Sequence, residues 1–379
     1  MFENNEYLSL VNDIKNITDD YLSQYQDIPI LEDIIEYNLL VLSNIYDKKY
    51  VKKNIYPEIL KQIICMNHKD IYGYIYSNFI KVDRSEKVNQ LKSIPLIEQR
   101  SDEWFKLKEN SIGASEAASI FSKSIFSSYN KLLLKKTGFS ENNTHNIACI
   151  HGTKYEIIAQ KIYENLFKLK LIEFGSIKHP SLEYVSASPD GITSDGTMIE
   201  IKIPIKRQIT GIPPIYYWIQ MQQQLQVCGL DSVDFVECKI SEYTNVDNFE
   251  NDNKGYTLNG TNMSFKSWII EYHDMSLNKI DWYYPDTFLD KLSLENWSNE
   301  QIKIIKNSEN KLFSRMIYYQ VESISITKIW RDDQWWNANV GKYTDFWNEV
   351  QKYRKIGNES LLNNKPKLIV KCQIDSDEE

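Results

Sequence analysis

The stretch Ser186-Ala-Ser-Pro-Asp-Gly-Ile-Thr-Ser-Asp-Gly-Thr-Met-Ile-Glu-Ile-Lys-Ile-Pro204 decides the fold of this chain. Its centre, Asp195-Gly196, is a strong signal for a tight turn between two strands. A three-residue loop centred on Asp195 would place Asp190 opposite Glu200 across the hairpin, whereas a strict two-residue turn would shift the register by one residue. The sequence therefore predicts a hairpin on which two carboxylates face each other.

Strand periodicity adds a lysine to this pair. In the second strand the three isoleucines of the run 199–203 point to the core, and Glu200 and Lys202 point together to the other face. Opposed carboxylates repel unless a cation lies between them, and oxygen ligands suit Mg²⁺, with Mn²⁺ as a substitute. Such an ion would activate water for phosphodiester hydrolysis, and Lys202 would hold or deprotonate that water. A solvated Glu-x-Lys face is the bland alternative, and the apolar strand and upstream Ser-Pro-Asp-Gly favour the catalytic interpretation.

The segments around this hairpin alternate between helical and strand patterns. Strands are predicted over 184–192, 197–203 and 233–240, with helices from Glu103, after His151-Gly152 and over 216–228. Further strand-like runs lie at 268–272 and 321–329, after a turn signal at Asn259-Gly260, and an aromatic helix surrounds Phe346. This order predicts an α/β fold with a mixed sheet flanked by helices.

Three regions divide the chain by composition. Residues 1–95 have helical periodicity and almost no glycine, which indicates a helical accessory domain with no cluster for chemistry. Residues 96–360 hold the nuclease-like pattern, its C-terminal strands and its last helix. Residues 361–379 end in an acidic tail that we expect to be disordered.

Bulk composition excludes several classes of protein. The chain has 379 residues, 42% of them hydrophobic and 25% charged, in the range of globular proteins. No secretory signal and no membrane span are visible, which predicts an intracellular protein. The five cysteines have no CxxC spacing, so zinc ribbons and iron–sulfur clusters are disfavoured. The net charge of −8 is weak evidence for or against a nucleic-acid partner, because four carboxylates lie in the last five residues.

Four ordered motifs resemble the PD-(D/E)xK nucleases, in the form found in YqaJ-type viral recombinases and lambda exonuclease. Ser188-Pro-Asp-Gly191 followed by Glu200-Ile-Lys202 resembles the signature that names the superfamily. The other three segments are similar to the family's opening motif, its G-x-x-x-E-x-x-A helix and its Y-x-x-Q-x-Q helix. They are Trp104-Phe-Lys-Leu-Lys108 with Ile112-Gly-Ala-Ser-Glu116, His151-Gly-Thr-Lys-Tyr-Glu156-x-x-Ala159, and Tyr217-Trp-Ile-Gln-Met-Gln222.

The resemblance implies roles for individual residues. Asp190, Glu200, Glu156 and the Ile201 carbonyl would be metal ligands. Lys202 would act on the water, and Gln220 would face the site. The implied DNA and phosphate contacts are Ser115, Lys108, Ser188 and Arg100. The bland interpretations stay open: a helix-dipole role for Glu156, an amphipathic helix for Gln220, a helix cap for Ser115 and a solvated Lys108.

The resemblance further implies a metal-dependent exonuclease on linear double-stranded DNA, working 5′→3′ and serving viral recombination, repair and replication. A structure-specific endonuclease is an alternative, because the same residues serve both activities. A catalytically weak protein that binds DNA ends is the alternative from another class. The implied partners are duplex DNA ends, a single-strand annealing protein and further copies of the chain as a homo-oligomer.

Overall fold

The computed structural model describes residues 84–95, 97, 101–139, 147–257, 264–286 and 288–363, with scattered positions between 13 and 42. Most of the predicted accessory domain and acidic tail, and the turn signal at Asn259-Gly260, therefore lie outside the described residues. The predicted domain boundaries remain a prediction. No helix in the described part of the chain is long and apolar enough to cross a membrane.

The fold is α/β, with a mixed sheet flanked by helices as predicted. In chain order the strands are β1 (Ile112–Gly113), β2 (Leu171–Ile172), β3 (Ile177–Lys178), β4 (Val185–Ala187), β5 (Gly191–Thr193), β6 (Met198–Lys202), β7 (Ser232–Glu242), β8 (Phe265–Asp274), β9 (Lys279–Tyr283) and β10 (Lys311–Trp330). Seven strands form one sheet in the order β2-β5-β6-β7-β10-β8-β9, and β1-β4-β3 form a small second sheet. Only β6–β7 is a parallel pair in the seven-stranded sheet as described.

The helices alternate with these strands along the chain. They are α1 (Ser85–Lys92), α2 (Asp102–Glu109), α3 (Ala117–Ile120), α4 (Tyr129–Lys136), α5 (Ile147–Phe167), α6 (Ile215–Cys228), α7 (Val246–Asn251), α8 (Lys291–Lys306), α9 (Asp333–Ile356) and α10 (Glu359–Asn363), and a single turn of 3-10 helix spans Ala114–Glu116. The helices predicted over 216–228 and around Phe346 are confirmed as α6 and α9.

Of the two loop lengths that the sequence left open, the hairpin has the three-residue one. Gly191 pairs with Ile199 and Ile192 with Met198, and the Thr193 N–H donates to the Thr197 carbonyl at 2.8 Å. Gly196 has a φ of +88°, which glycine adopts without strain. The same register, continued by one residue, sets Asp190 opposite Glu200.

The strand predicted over 184–192 is in fact two strands. β4 ends at Ala187 and joins the small sheet, whereas β5 begins at Gly191 and joins the large one. The break falls on Ser188-Pro-Asp190, where proline has no N–H for a strand ladder. Consequently Asp190 lies at a strand end, where its side chain is not committed to a sheet face.

Two helices cover the opposite faces of β6. Ile199, Ile201 and Ile203 pack in a core cluster with Tyr155 and Ile158 of α5, as the predicted periodicity requires. α6 contributes its apolar residues to a second cluster with β7. The face that carries Glu200 is therefore buried as well, and Glu200 is only 1% exposed.

Helix α1 packs on this core, although the sequence placed it in the accessory domain. Val88 and Leu91 are buried in the cluster formed with α6, and Arg84 Nε donates to Asp231 Oδ2 at 2.7 Å. The apolar side chains of α1 are therefore part of the core that positions the site.

Candidate active site

Asp190 lies where the hairpin opens toward β6. Its Oδ2 accepts a hydrogen bond of 2.7 Å from the Ile201 N–H. A strand residue directs its N–H and C=O to the same side, so the Ile201 carbonyl also lies on the Asp190 side. Burial, followed by the negative charge of Glu200, raises the pKa of Asp190 well above its ordinary value.

Glu200 is held by three side chains. Lys202 pairs with its Oε1, Gln220 Nε2 donates to the same oxygen at 2.6 Å, and Gln224 Nε2 donates to Oε2 at 2.6 Å. Gln220 and Gln224 lie one helical turn apart on α6, so both reach the same carboxylate. The glutamate is therefore fixed in orientation before any ligand binds.

Lys202 is the cation of this cluster. Its Nζ lies 4.9 Å from the centroid of the Tyr217 ring, and its side chain is 22% exposed. Burial by itself lowers the pKa of Lys202, but the carboxylates of Glu200 and Asp190 outweigh it and raise the pKa above the ordinary value. Lys202 is therefore charged in this arrangement.

Glu156 approaches the cluster from α5. Although solvent reaches its side chain, desolvation by the surrounding protein atoms is the largest influence on its carboxyl. That desolvation raises the pKa of Glu156, and the negative charges of Glu200 and Glu173 add to it, while Lys202 acts in the opposite sense. We call Asp190, Glu200, Lys202 and Glu156 the acidic cluster.

The donors of the acidic cluster fit a magnesium ion. Within the described residues, no three His, Cys, Asp or Glu side chains lie close enough together to cage a metal. Magnesium at sites that handle phosphates binds one or two carboxylates and completes its shell with water and phosphate oxygens. Asp190 and Glu200 supply the two carboxylates, and a cation between them relieves their mutual repulsion, which adds to burial in raising the pKa of Asp190.

A second cluster surrounds Glu116. The Nζ atoms of Lys135 and Lys136 lie 2.8 Å and 2.7 Å from its carboxylate oxygens, and the Gly113 N–H donates to Oε2 at 3.0 Å. Lys108 lies close by, because a Cβ atom added to Gly113 would be 3.3 Å from the Lys108 Nζ. We call Lys108, Glu116, Lys135 and Lys136 the basic cluster. Burial, only partly offset by Glu116, lowers the pKa of Lys108.

Helix α6 links the two clusters. Gln223 Nε2 donates at 2.8 Å to the carbonyls of both Ile112 and Ser186, which pin β1 to β4 beside the basic cluster. Gln220 and Gln224, on the same helix, hold Glu200 of the acidic cluster. One rigid helix therefore fixes the position of both clusters.

Residues 103–231 match the model of the YqaJ-like viral recombinase domain. This segment, 129 of the 379 residues, is similar to that family. It contains every residue of the acidic and basic clusters. The resemblance noted from the four motifs is thereby confirmed, and we refer to this segment as the YqaJ-like domain.

Two viral proteins are similar to this chain over longer stretches. Protein R354 of Acanthamoeba polyphaga mimivirus is 28% identical over 325 residues, which cover 76% of this chain and 59% of that protein. Protein D345L of African swine fever virus is 26% identical over 159 residues, which cover 34% of this chain and 46% of that protein. The chain thus spans less than two thirds of either relative.

Two solved structures show a more distant similarity. An alkaline exonuclease from Laribacter hongkongensis has 20% identity and a TM-score of 0.40, over 69% of this chain and 99% of that chain. A phage-related exonuclease from Haemophilus somnus has 12% identity and a TM-score of 0.34, over 66% and 96%.

The residues predicted to contact DNA differ in where the structure places them. Lys108 lies in the basic cluster, and Ser115 is exposed beside Glu116. The Ser188 Oγ is buried and has no hydrogen-bond partner among the described residues. Arg100 lies outside the described residues.

Sequence reasoning missed several residues around Lys202. Gln224 follows Gln220 by one helical turn, and this spacing could have identified Gln224 as a second partner of Glu200. Arg207 pairs with Glu237, and its guanidinium lies 5.8 Å from the centroid of the Tyr217 ring. Glu237 lies opposite Lys202 in the parallel pairing of β7 with β6. The sequence alone does not show that these two residues are neighbours, because this depends on the order of the strands in the sheet.

Proposed function

We propose that the YqaJ-like domain is a metal-dependent deoxyribonuclease that hydrolyses phosphodiester bonds at the ends of linear double-stranded DNA. The observation that carries the proposal is the hairpin register, which opposes Asp190 and Glu200 and puts Lys202 on the Glu200 face. Phosphodiester hydrolysis needs such a patch, since negative charge develops on the phosphate while water attacks it.

Each residue of the acidic cluster has a distinct task in this proposal. Asp190, Glu200 and the Ile201 carbonyl would hold Mg²⁺, with Glu156 approaching from α5. The bound ion would lower the pKa of water and stabilise negative charge on the phosphate. Lys202, charged and fixed against Glu200, would position the attacking water and accept its proton only after losing its own. Gln220 and Gln224 would keep Glu200 in one orientation, a role typical of residues behind metal ligands.

The basic cluster supports binding of a terminal phosphate. Three lysines share one glutamate there, so the cluster carries an excess of positive charge. The buried Trp104 indole N–H has no acceptor among the described residues, and the Trp104 ring lies 5.1 Å from Lys108 Nζ. A 5′-phosphate would neutralise this excess, and capture of that end favours 5′→3′ digestion. The 3′ single strand left behind would suit an annealing protein.

The test compares linear and covalently closed circular duplexes incubated with Mg²⁺, with Mn²⁺ and with chelator. We expect release of nucleotides from the linear form with either metal, no reaction in chelator and no attack on circles. Asp190→Asn should abolish release while leaving DNA binding in chelator intact, because the change removes a charge and keeps the shape of the side chain. Rapid linearisation of circles would indicate the endonuclease alternative, and binding with no hydrolysis would indicate an end-binding protein.

A further inference from the structure

One exposed phenylalanine and two half-buried tyrosines border the acidic cluster. Phe126 is 63% exposed, and its ring centroid lies 5.4 Å from that of Tyr216 and 6.4 Å from that of Tyr217. Its neighbour Ile125 is 70% exposed. We call Phe126, Tyr216 and Tyr217 the aromatic platform.

The loop that carries Phe126 is held in place by hydrogen bonds. The Ser124 Oγ accepts from the N–H groups of Phe126 and Ser127 at 3.1 Å and 3.2 Å. The Lys123 and Ser124 N–H groups donate to the Ala118 carbonyl at 2.9 Å and 3.2 Å. Phe126 is therefore presented to solvent by a fixed turn. Single exposed apolar residues are common on proteins, but this ring extends a group of aromatic side chains.

The platform is continuous with the proposed catalytic residues. The Tyr217 ring lies between two cations, with Lys202 Nζ at 4.9 Å and the Arg207 guanidinium at 5.8 Å from its centroid. Glu237, which is fully buried, anchors Arg207, and Arg207 remains 28% exposed. Phe126 thus lies two side-chain contacts from Lys202, with a fixed, partly exposed guanidinium next to the rings.

We propose that the aromatic platform binds an unpaired nucleobase of the strand whose phosphate lies at Lys202, with Arg207 contacting the neighbouring phosphate. The occupant follows from the chemistry present, because aromatic faces combined with a cation bind single-stranded DNA by stacking whatever the base sequence. Within a duplex each base is stacked on its neighbours, so a free face exists only at an end or in an unpaired segment.

The inference rests on the proposed function and deepens it by naming the substrate form. The strand enters the acidic cluster with its terminal bases separated from their complement. Frayed or mismatched ends are therefore bound more tightly than fully paired ends of the same sequence. Phe126 acts here as a positioning residue, since it touches the base and not the phosphate that reacts.

The experiment measures binding in chelator, where hydrolysis does not occur. Fluorescence anisotropy gives the Kd for a fully paired duplex and for an otherwise identical duplex whose terminal base pairs are mismatched. Wild-type protein should prefer the mismatched end. Phe126→Ala should weaken binding to that end by about tenfold, the size typical of one lost stacking contact, and should leave the paired duplex nearly unaffected.

Two further substitutions separate stacking from simple apolar contact. Phe126→Trp should retain the preference for mismatched ends, because indole offers a larger π face, whereas Phe126→Leu should lose it although leucine is apolar. Leu312→Ala is the matched control, since Leu312 is 62% exposed and lies at the start of β10, where that strand pairs with β8. It should behave as wild type.

The outcomes distinguish this inference from the proposed function. Equal binding of mismatched ends by wild type and Phe126→Ala, or equal effects of Phe126→Leu and Phe126→Trp, would overturn the platform even if hydrolysis were observed. A preference for mismatched ends that depends on Phe126 would support the platform even if no metal restored hydrolysis. In that case the nuclease proposal alone would fail.

Discussion

The acidic and basic clusters are opposite in charge and similar in construction. In the acidic cluster the carboxylates of Asp190, Glu200 and Glu156 act on one lysine, Lys202. In the basic cluster three lysines act on one carboxylate, that of Glu116. Each cluster is partly buried, and each has more of one charge than its own side chains neutralise. The sign of the excess charge indicates the ligand. Excess negative charge favours binding of a metal cation, and excess positive charge favours binding of a phosphate.

The strongest test of this comparison removes the lysine of the acidic cluster. Lys202→Ala should lower the rate of DNA hydrolysis by about 10²–10⁴-fold, the contribution typical of a group that positions or moves a proton. The measurement is the initial rate of nucleotide release from linear duplex at saturating Mg²⁺. Lys279→Ala removes a lysine that also pairs with a carboxylate two residues away on the same strand, Asp281, and should leave the rate unchanged. A near-wild-type rate in Lys202→Ala would contradict the assignment of the site.

The second test concerns folding of the basic cluster. Lys135 and Lys136 pair with the same glutamate, but the Lys135 side chain is 66% exposed and that of Lys136 only 1%. Lys136→Met should reduce the free energy of unfolding by about 3 kcal/mol, because it leaves Glu116 without its buried partner. Lys135→Met should change it by less than about 1 kcal/mol, as for surface ion pairs.

Urea denaturation followed by circular dichroism measures both variants against wild type. Equal losses of stability in the two variants would mean that burial does not separate their roles. No loss of stability in Lys136→Met would mean that the attraction between Lys136 and Glu116 only offsets the cost of desolvating the two charges.

The third test asks whether the basic cluster binds a terminal phosphate. Lys108→Ala should reduce the ratio of rates on 5′-phosphorylated and 5′-hydroxyl duplexes by about tenfold, in line with the loss of one charged hydrogen bond. Lys108→Arg should increase the ratio, since a guanidinium binds two phosphate oxygens at once. Ser115→Ala should cause a smaller loss. Lys106→Ala, on the same helix, is the control and should leave the ratio unchanged. An unchanged ratio in Lys108→Ala would mean that Lys108 does not bind the phosphate, and Arg100 would be tested next.

The smallest expected effect is a pH dependence of that ratio. Burial lowers the pKa of Lys108, so its charged fraction falls at a lower pH than that of an exposed lysine. Above about pH 8 the phosphate already carries both charges, and the ratio of kcat/KM values for the two ends should decline several-fold as pH rises. Lys108→Arg should show a flat ratio, because arginine stays charged. A flat ratio in wild type would mean that Lys108 does not titrate in the free protein.

The amino-acid sequence by itself determined the hairpin and the common face of Glu200 and Lys202, and it limited the loop to two alternatives, of two or three residues. These features follow from turn chemistry and strand periodicity, which act between residues close in the chain. The α6 helix and the closing strand β7 were predictable for the same reason. The motif spacing placed Glu156 and Gln220 near the hairpin only through a family resemblance.

The tertiary structure alone decided how these residues are surrounded. Packing of α6 over β6 buries Glu200 and brings Gln224 to it. The parallel pairing of β6 with β7 puts Glu237 beside Lys202, and packing of α4 puts Lys136 against Glu116. The core contacts of α1 and the position of Phe126 beside Tyr216 are of the same kind. All of them join segments distant in the chain, and no local propensity specifies such contacts because they form only when separate elements bury their apolar faces together.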